Sequence, residues 1–193
     1  AKHKHALKPA PAQKPDSTLS DDEKSAVSRY SQSGYNYSYA YINNYLRNDT
    51  IDKRHNKAEF DQVVSRIDSG IAKSRTTAPV LYRGSSLVEY GLDRTAINST
   101  LIGKVLADKA YTSTSLSKDV VTDAYVGRIG AILEITPQPD APALELGDLA
   151  AIKSEQEVLL PRNAQLLITA ISTTKDGTPI IHADYVRPIQ KAL

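Results

Sequence analysis

The chain has 193 residues, 40% of them apolar and 24% charged, with a formal net charge of +2. That length supports one domain with a real core, while nearly balanced charge without a lysine or arginine block gives no reason to expect a nucleic-acid partner. The absence of cysteine excludes disulfides, thiol catalysis and cysteine-based metal sites, and no apolar run is long enough to span a bilayer or resembles a signal peptide.

Residues 1–16 read as a mobile basic tail, because His3, His5, Pro9, Pro11 and Pro15 stand among Lys and Ala with little to bury. From residue 17 to 193 a single domain is expected. Ser20 precedes Asp21, Asp22 and Glu23, a capping hydroxyl followed by acids that the helix dipole favours, so a helix starts there. A second helix is predicted after Gly34, with Tyr37, Tyr41, Tyr45, Ile42 and Leu46 as its apolar stripe and Asn48-Asp49-Thr50 as its end. A third, over 57–73, places Phe60, Val63, Val64, Ile67 and Ile71 on one side. Five of the eleven tyrosines lie between Tyr35 and Tyr45, with another at Tyr30. Such a cluster serves either packing on a sheet or recognition of a ligand.

Short strands follow. Val80-Leu81-Tyr82 is read as one, and Arg83-Gly84-Ser85-Ser86 leaves it with a cation beside a glycine that lets a ligand approach the backbone. A guanidinium forks onto two phosphate oxygens, although a lone arginine there also suits a surface ion pair. Residues 105–117 read as a strand pair with a polar insertion, in which Tyr111-Thr112-Ser113-Thr114-Ser115 alternates as a half-buried strand does. A short helix opened by Ser117 is expected over 118–127. Ala131 to Thr136 forms a strand, Pro137 to Pro142 a rigid turn, and 144–152 a loop. Glu155 and Glu157 then enter Val158-Leu159-Leu160. In an extended strand they point to one face roughly 6.5–7 Å apart; as a bare pair they equally suit solvated edge charges. Lys175-Asp176-Gly177-Thr178 signals a hairpin between two last strands, and His182 is read as structural. Helices first and strands later define an α+β class, and no Rossmann fingerprint or glycine-rich phosphate loop occurs.

Arg83, Ser113-Thr114-Ser115 and Glu155-Gln156-Glu157, in that order, resemble the arginine, Ser-Thr-Ser, Glu-x-Glu signature of bacterial mono-ADP-ribosyltransferase toxins, closest to the group that modifies actin. The likeness runs from about Leu19 to Tyr185. It implies two packed, mainly antiparallel sheets forming an NAD cleft, with the N-terminal helices over one side and no metal. It also implies that Arg83 holds phosphate beside Gly84, that Ser113 bonds Glu157, that Tyr125 stacks on nicotinamide and that Arg128 is a second cation near the dinucleotide. The segment from Ile42 to Arg47 looks like the helix covering that dinucleotide. Gly84 stands where the actin-directed relatives carry a second arginine, Ala110 replaces a residue that is polar in some relatives, and the loop at 144–152 lacks their usual aromatic, with Ile152 the nearest bulky group.

The chemistry asks for these groups. A carboxylate stabilises the oxocarbenium-like state in which nicotinamide leaves, the role implied for Glu157. An arginine acceptor has a pKa above 12 and needs a second carboxylate to orient it and take its proton, the role of Glu155; relatives with Gln there resemble asparagine modifiers. The expected protein is thus a secreted, monomeric toxin domain acting on a target arginine in a host cytoplasm. An NAD glycohydrolase and a non-catalytic β-rich binding module are the alternatives.

Overall fold

A computed structural model describes residues 18–34, 36–125 and 130–186, the side chains of 123–125 excepted. The expected tail at 1–16, Arg128 and the Tyr125 side chain lie outside the described residues.

Helix α1 (Asp21–Tyr30) begins where the acids and the capping serine put it. Ser20 Oγ accepts from the Glu23 amide at 3.1 Å while Glu23 accepts from the Ser20 amide at 2.8 Å, a reciprocal cap that satisfies two otherwise orphaned donors. Lys73 Nζ reaches the same carboxylate at 2.7 Å and ties α1 to the end of α3 (Lys57–Ala72). Phe60, Val63, Val64, Ile67 and Ile71 are all buried in α3, as their spacing predicts. Helix α2 (Tyr39–Asn48) starts later than expected, because Tyr37 has a left-handed φ of 62° and lies outside it. The expected stripe still packs on one core: Tyr37 and Tyr45 lie on Phe60, Ile42 is buried beside them, and Tyr41 and Leu46 are half-buried against the same cluster, whereas Tyr39, outside the stripe, is exposed.

The strands are β1 (Leu81–Ser85), β2 (Val105–Ala107), β3 (Thr112–Ser115), β4 (Ala131–Pro137), β5 (Leu144–Glu145), β6 (Glu157–Leu160), β7 (Gln165–Thr173) and β8 (Pro179–Val186), with α4 (Lys118–Tyr125) between β3 and β4. Their order is β2-β7-β8-β4-β1-β3-β6-β5, antiparallel except for β4 beside β8. The two expected sheets are present but joined. Five strands ending at β1 meet the three-stranded β3-β6-β5 unit through one pair, Tyr82 opposite Ser115. Alternation along β6 shows how the layers stack: Val158 and Leu160 enter the core of the five-stranded part, while Leu159 enters the core built by α1, α2 and α3. The three-stranded unit is thus covered on both faces, with the helices on one side.

Two expectations about strands change. β1 runs on to Ser85, so Arg83 sits within it rather than beyond its end. Residues 105–117 hold two strands that do not pair: β2 lies at one edge against β7, and β3 lies between β1 and β6. Asp108 carries the chain between them, accepting from the Ala110 amide at 3.0 Å and from Arg47. The β7-β8 hairpin forms as the Asp-Gly signal predicts, with Gly177 at φ 86°. His182 is structural: on β8 it lies 2.8 Å from Ser172 Oγ and 3.3 Å from the Glu134 carboxylate.

Candidate active site

Along β1, Leu81 and Ser85 are buried and Arg83 shares their face, which turns its guanidinium inward where β1 and β3 diverge. Nη1 donates to the Ser113 carbonyl at 2.8 Å and Nη2 to Glu89 at 3.0 Å. Ser85 Oγ also donates to Glu89, at 2.5 Å. Burial works against the Arg83 charge, but Tyr90 and Glu89 outweigh it and raise its pKa above the ordinary guanidinium value. Arg83 is a permanent, fixed cation.

Strands β3 and β6 pair with Ser115 opposite Glu157 and Ser113 opposite Leu159, so the two serines and Glu157 share a face. Ser113 Oγ donates to the Glu157 carboxylate at 2.5 Å. Burial pushes the Glu157 pKa up; the Ser113 hydrogen bond opposes this, the Glu155 charge adds to it and Arg83 lowers it, leaving it above the usual value.

Glu155 is placed differently from the extended pair that spacing suggests. It closes a 3-10 turn, Lys153–Glu155, and Gln156 takes a left-handed conformation at φ 47° before β6 begins. The turn is latched from below: Ser115 Oγ donates to the Glu155 carbonyl at 2.7 Å and the Leu116 amide to the Gln156 carbonyl at 3.1 Å. Glu155 is exposed and Glu157 half-buried, yet both line the same cavities. Strand geometry alone does not bring them together; the kink does.

Two cavities, of about 110 and 420 Å³, meet at Arg83, Ser113, Glu155 and Glu157. Tyr82, Gly84, Val120 and Val121 close the smaller one, between β1 and α4. The larger is walled by Tyr30 and by Tyr39, Asn43 and Arg47, which recur every fourth residue along one face of α2. Asn43 Nδ2 donates to the Tyr30 hydroxyl at 2.9 Å, and Arg47 forks onto buried Asp108 with contacts of 3.0 and 2.6 Å. Asn43 and Arg47 fall in the segment expected to cover the dinucleotide but, like Glu89, are not singled out there as site residues; the 39-43-47 spacing is the signal that selects them.

The arrangement offers a cation fixed for an anionic ligand, a carboxylate held by a hydroxyl deep in the cleft, and at its mouth a second carboxylate, unpaired among the described residues. Among the described residues no group of three His, Asp or Glu is disposed to hold a metal, and no helix is long and apolar enough to cross a membrane.

A mainly antiparallel sheet with helices on one side and an Arg, Ser, Glu cleft defines the ADP-ribosylating class of fold. The family model of the ADP-ribosyltransferase exoenzyme matches residues 8–186, and the chain belongs to that family. It is 30% identical over 167 residues to the mono(ADP-ribosyl)transferase SpvB of Salmonella typhimurium, a match covering 76% of this chain but 26% of SpvB, so the chain spans about a quarter of that relative's length. Among solved structures, the C3 exoenzyme of Clostridium limosum is 25% identical with a TM-score of 0.69, covering 88% of this chain and 87% of that one. The ADP-ribosyltransferase Vis in complex with agmatine is 26% identical with a TM-score of 0.64, covering 89% and 77%.

Proposed function

We propose that this chain is a mono-ADP-ribosyltransferase toxin domain that moves ADP-ribose from NAD to an arginine side chain of a target protein and releases nicotinamide. The observation that carries it is the convergence of Arg83, Ser113-held Glu157 and free Glu155 on one cleft. Arg83 anchors the pyrophosphate, with Arg47 a second cation on the helical wall of the larger cavity, and the smaller pocket beside Gly84, closed by Tyr82, Val120 and Val121, takes nicotinamide. Tyr125 as the stacking ring and Arg128 as a further phosphate contact remain part of the proposal. When the bond between ribose C1′ and nicotinamide breaks, its electron pair leaves with the base, and Glu157 stabilises the positive charge left on the ribose. A guanidinium nitrogen then attacks C1′ and gives its proton to Glu155. Glu155 stands free at the mouth, as an acceptor-facing base requires. Vis binds agmatine, which carries a guanidinium, and that supports an arginine acceptor here. Actin is a candidate target, with action in a host cytoplasm after secretion.

The test pairs two readouts, nicotinamide release and label transfer from NAD to agmatine, in wild type and Glu155→Gln. Glutamine keeps the size but takes no proton, so transfer is expected to disappear while NAD hydrolysis persists at a measurable rate. Hydrolysis without any acceptor labelling in wild type, unchanged in the variant, would make the protein an NAD glycohydrolase.

A further inference from the structure

The loop between β5 and β6 carries Glu155, and its ends are well held. At its start the Leu146 amide donates to the Glu157 carbonyl at 2.9 Å, and at its finish Ser115 and the following Leu116 bind the Glu155 and Gln156 carbonyls. Its middle is another matter. It consists of two 3-10 turns, Gly147–Leu149 and Lys153–Glu155, with residues 150–152 between them; Leu149 and buried Ala150 pack on the helix core, whereas Ala151 and Ile152 are exposed. An exposed ion pair, Lys153 with Asp148 at 3.4 Å, links the turns to each other and holds little. Among the described residues, the hydrogen bond that ties the exposed part of this middle to another element is the Ala151 amide to Ser31 Oγ, at 2.9 Å.

Ser31 caps α1 at its C-terminal end. Its hydroxyl accepts from Ala151 while donating to the Ser28 carbonyl at 2.8 Å, with the Leu149 carbonyl a longer alternative at 3.5 Å. A group bound on both sides in this way has a fixed direction, and the loop it grips is indexed to the end of α1. The neighbouring Tyr30 is fully buried and pairs with Asn43 on the cleft wall. One helix end therefore contacts both halves of the site, through Tyr30 on the inner wall and through Ser31 on the loop at the mouth.

We infer that Ser31 is a positioning residue for the acceptor: its hydroxyl holds the Ala151-Ile152 segment, and through it the Lys153–Glu155 turn, where Glu155 meets an incoming guanidinium. This rests on the arginine-transfer reading above. A serine in a helix cap is ordinarily a local device, satisfying a carbonyl of its own helix. What sets Ser31 apart is that its other partner is an amide 120 positions further along the chain, on the segment that bears the acceptor-side carboxylate.

The experiment compares wild type, Ser31→Ala and Ser31→Thr. Alanine removes the hydroxyl and threonine returns it. In Ser31→Ala the apparent KM for agmatine is expected to rise about three- to tenfold, the scale of one lost hydrogen bond, while NAD hydrolysis without acceptor stays within about twofold because Arg83, Ser113 and Glu157 are held by other bonds. Threonine should restore most of the loss. Hydrogen exchange supplies a second readout: the Ala151 amide and its neighbours in 147–156 should exchange faster in Ser31→Ala, with α1 unchanged. Unchanged exchange would show that no tether exists, and faster exchange with unaltered acceptor kinetics would show that it positions nothing; either overturns the inference. A parallel fall in hydrolysis and transfer overturns it too, as a general structural loss. If wild type hydrolyses NAD but never labels agmatine, the arginine reading fails and the acceptor role of Ser31 with it, while the exchange data separately report whether the bond exists.

Discussion

Glu157 combines the catalytic position proposed for it with a local liability. Its folded pKa stands above the ordinary 4.5, chiefly because of burial. Between those two values the folded chain keeps a proton that the unfolded chain has lost, so stability declines as pH rises through that window and the burden is fully present above it. Glu157→Gln should therefore lower NAD turnover by about 10²–10³-fold and, near neutral pH, raise the melting temperature, an advantage that fades below pH 4.5. Thermal melts at neutral and acid pH check the second half; a variant destabilised at neutral pH would mean that the charge is supported. Arg83→Lys keeps the cation but loses the fork that engages Ser113 and Glu89. The KM for NAD should rise about tenfold or more, read by nicotinamide release at varied NAD. Arg83, Ser113 and Glu157 were legible as residues because their types and order match a known signature. The position of Glu155 was legible only in outline, since nothing in Ser-Glu-Gln-Glu announces that Gln156, a residue with a Cβ, adopts a left-handed conformation.

At the scale of elements, the helices were easier to read than the strands because their signals are local. The α1 cap and the buried face of α3 follow from sequence neighbours, whereas the partners of β2 and β3 lie more than thirty positions away, as in the Ser115 to Glu157 pairing. Glu23 shows how a local signal gains a tertiary role. Burial raises its pKa, but the hydrogen bonds from Lys73 and from the Ser20 amide, with the nearby Ser69 and Ser20 side chains adding to them, outweigh that and bring it down to about 2. A depressed carboxylate contributes stability above its unfolded value, lost as pH falls from 4.5 toward 2. Glu23→Gln should cost on the order of 1–2 kcal/mol at neutral pH and flatten the acid decline in stability, measurable by urea denaturation at several pH values. Equal destabilisation at every pH would remove the lysine pair from the account.

For the whole molecule the controlling feature is the three-stranded β3-β6-β5 unit, buried on both faces and shared between two cores. Adjacent residues of β6 belong to different layers, Leu159 to the helices and Leu160 to the five-stranded part, and both are fully buried. Truncating either should cost about 2–5 kcal/mol by leaving a cavity, so global stability does not tell them apart. Their functional consequences differ. The walls formed by Tyr30, Asn43 and Arg47 belong to α1 and α2, which rest on the core containing Leu159, whereas Arg83 stands on β1 in the other part of the sheet. Leu159→Ala should loosen the helical wall and raise the KM for NAD, with faster hydrogen exchange in α1–α3. Leu160→Ala should speed exchange in β4 and β8 and leave the helices closer to wild type. The comparison is made at a temperature where both variants remain folded. If exchange rises equally in both layers for each variant, the two cores unfold as one unit, and the cleft wall is not separable from the sheet that carries Arg83.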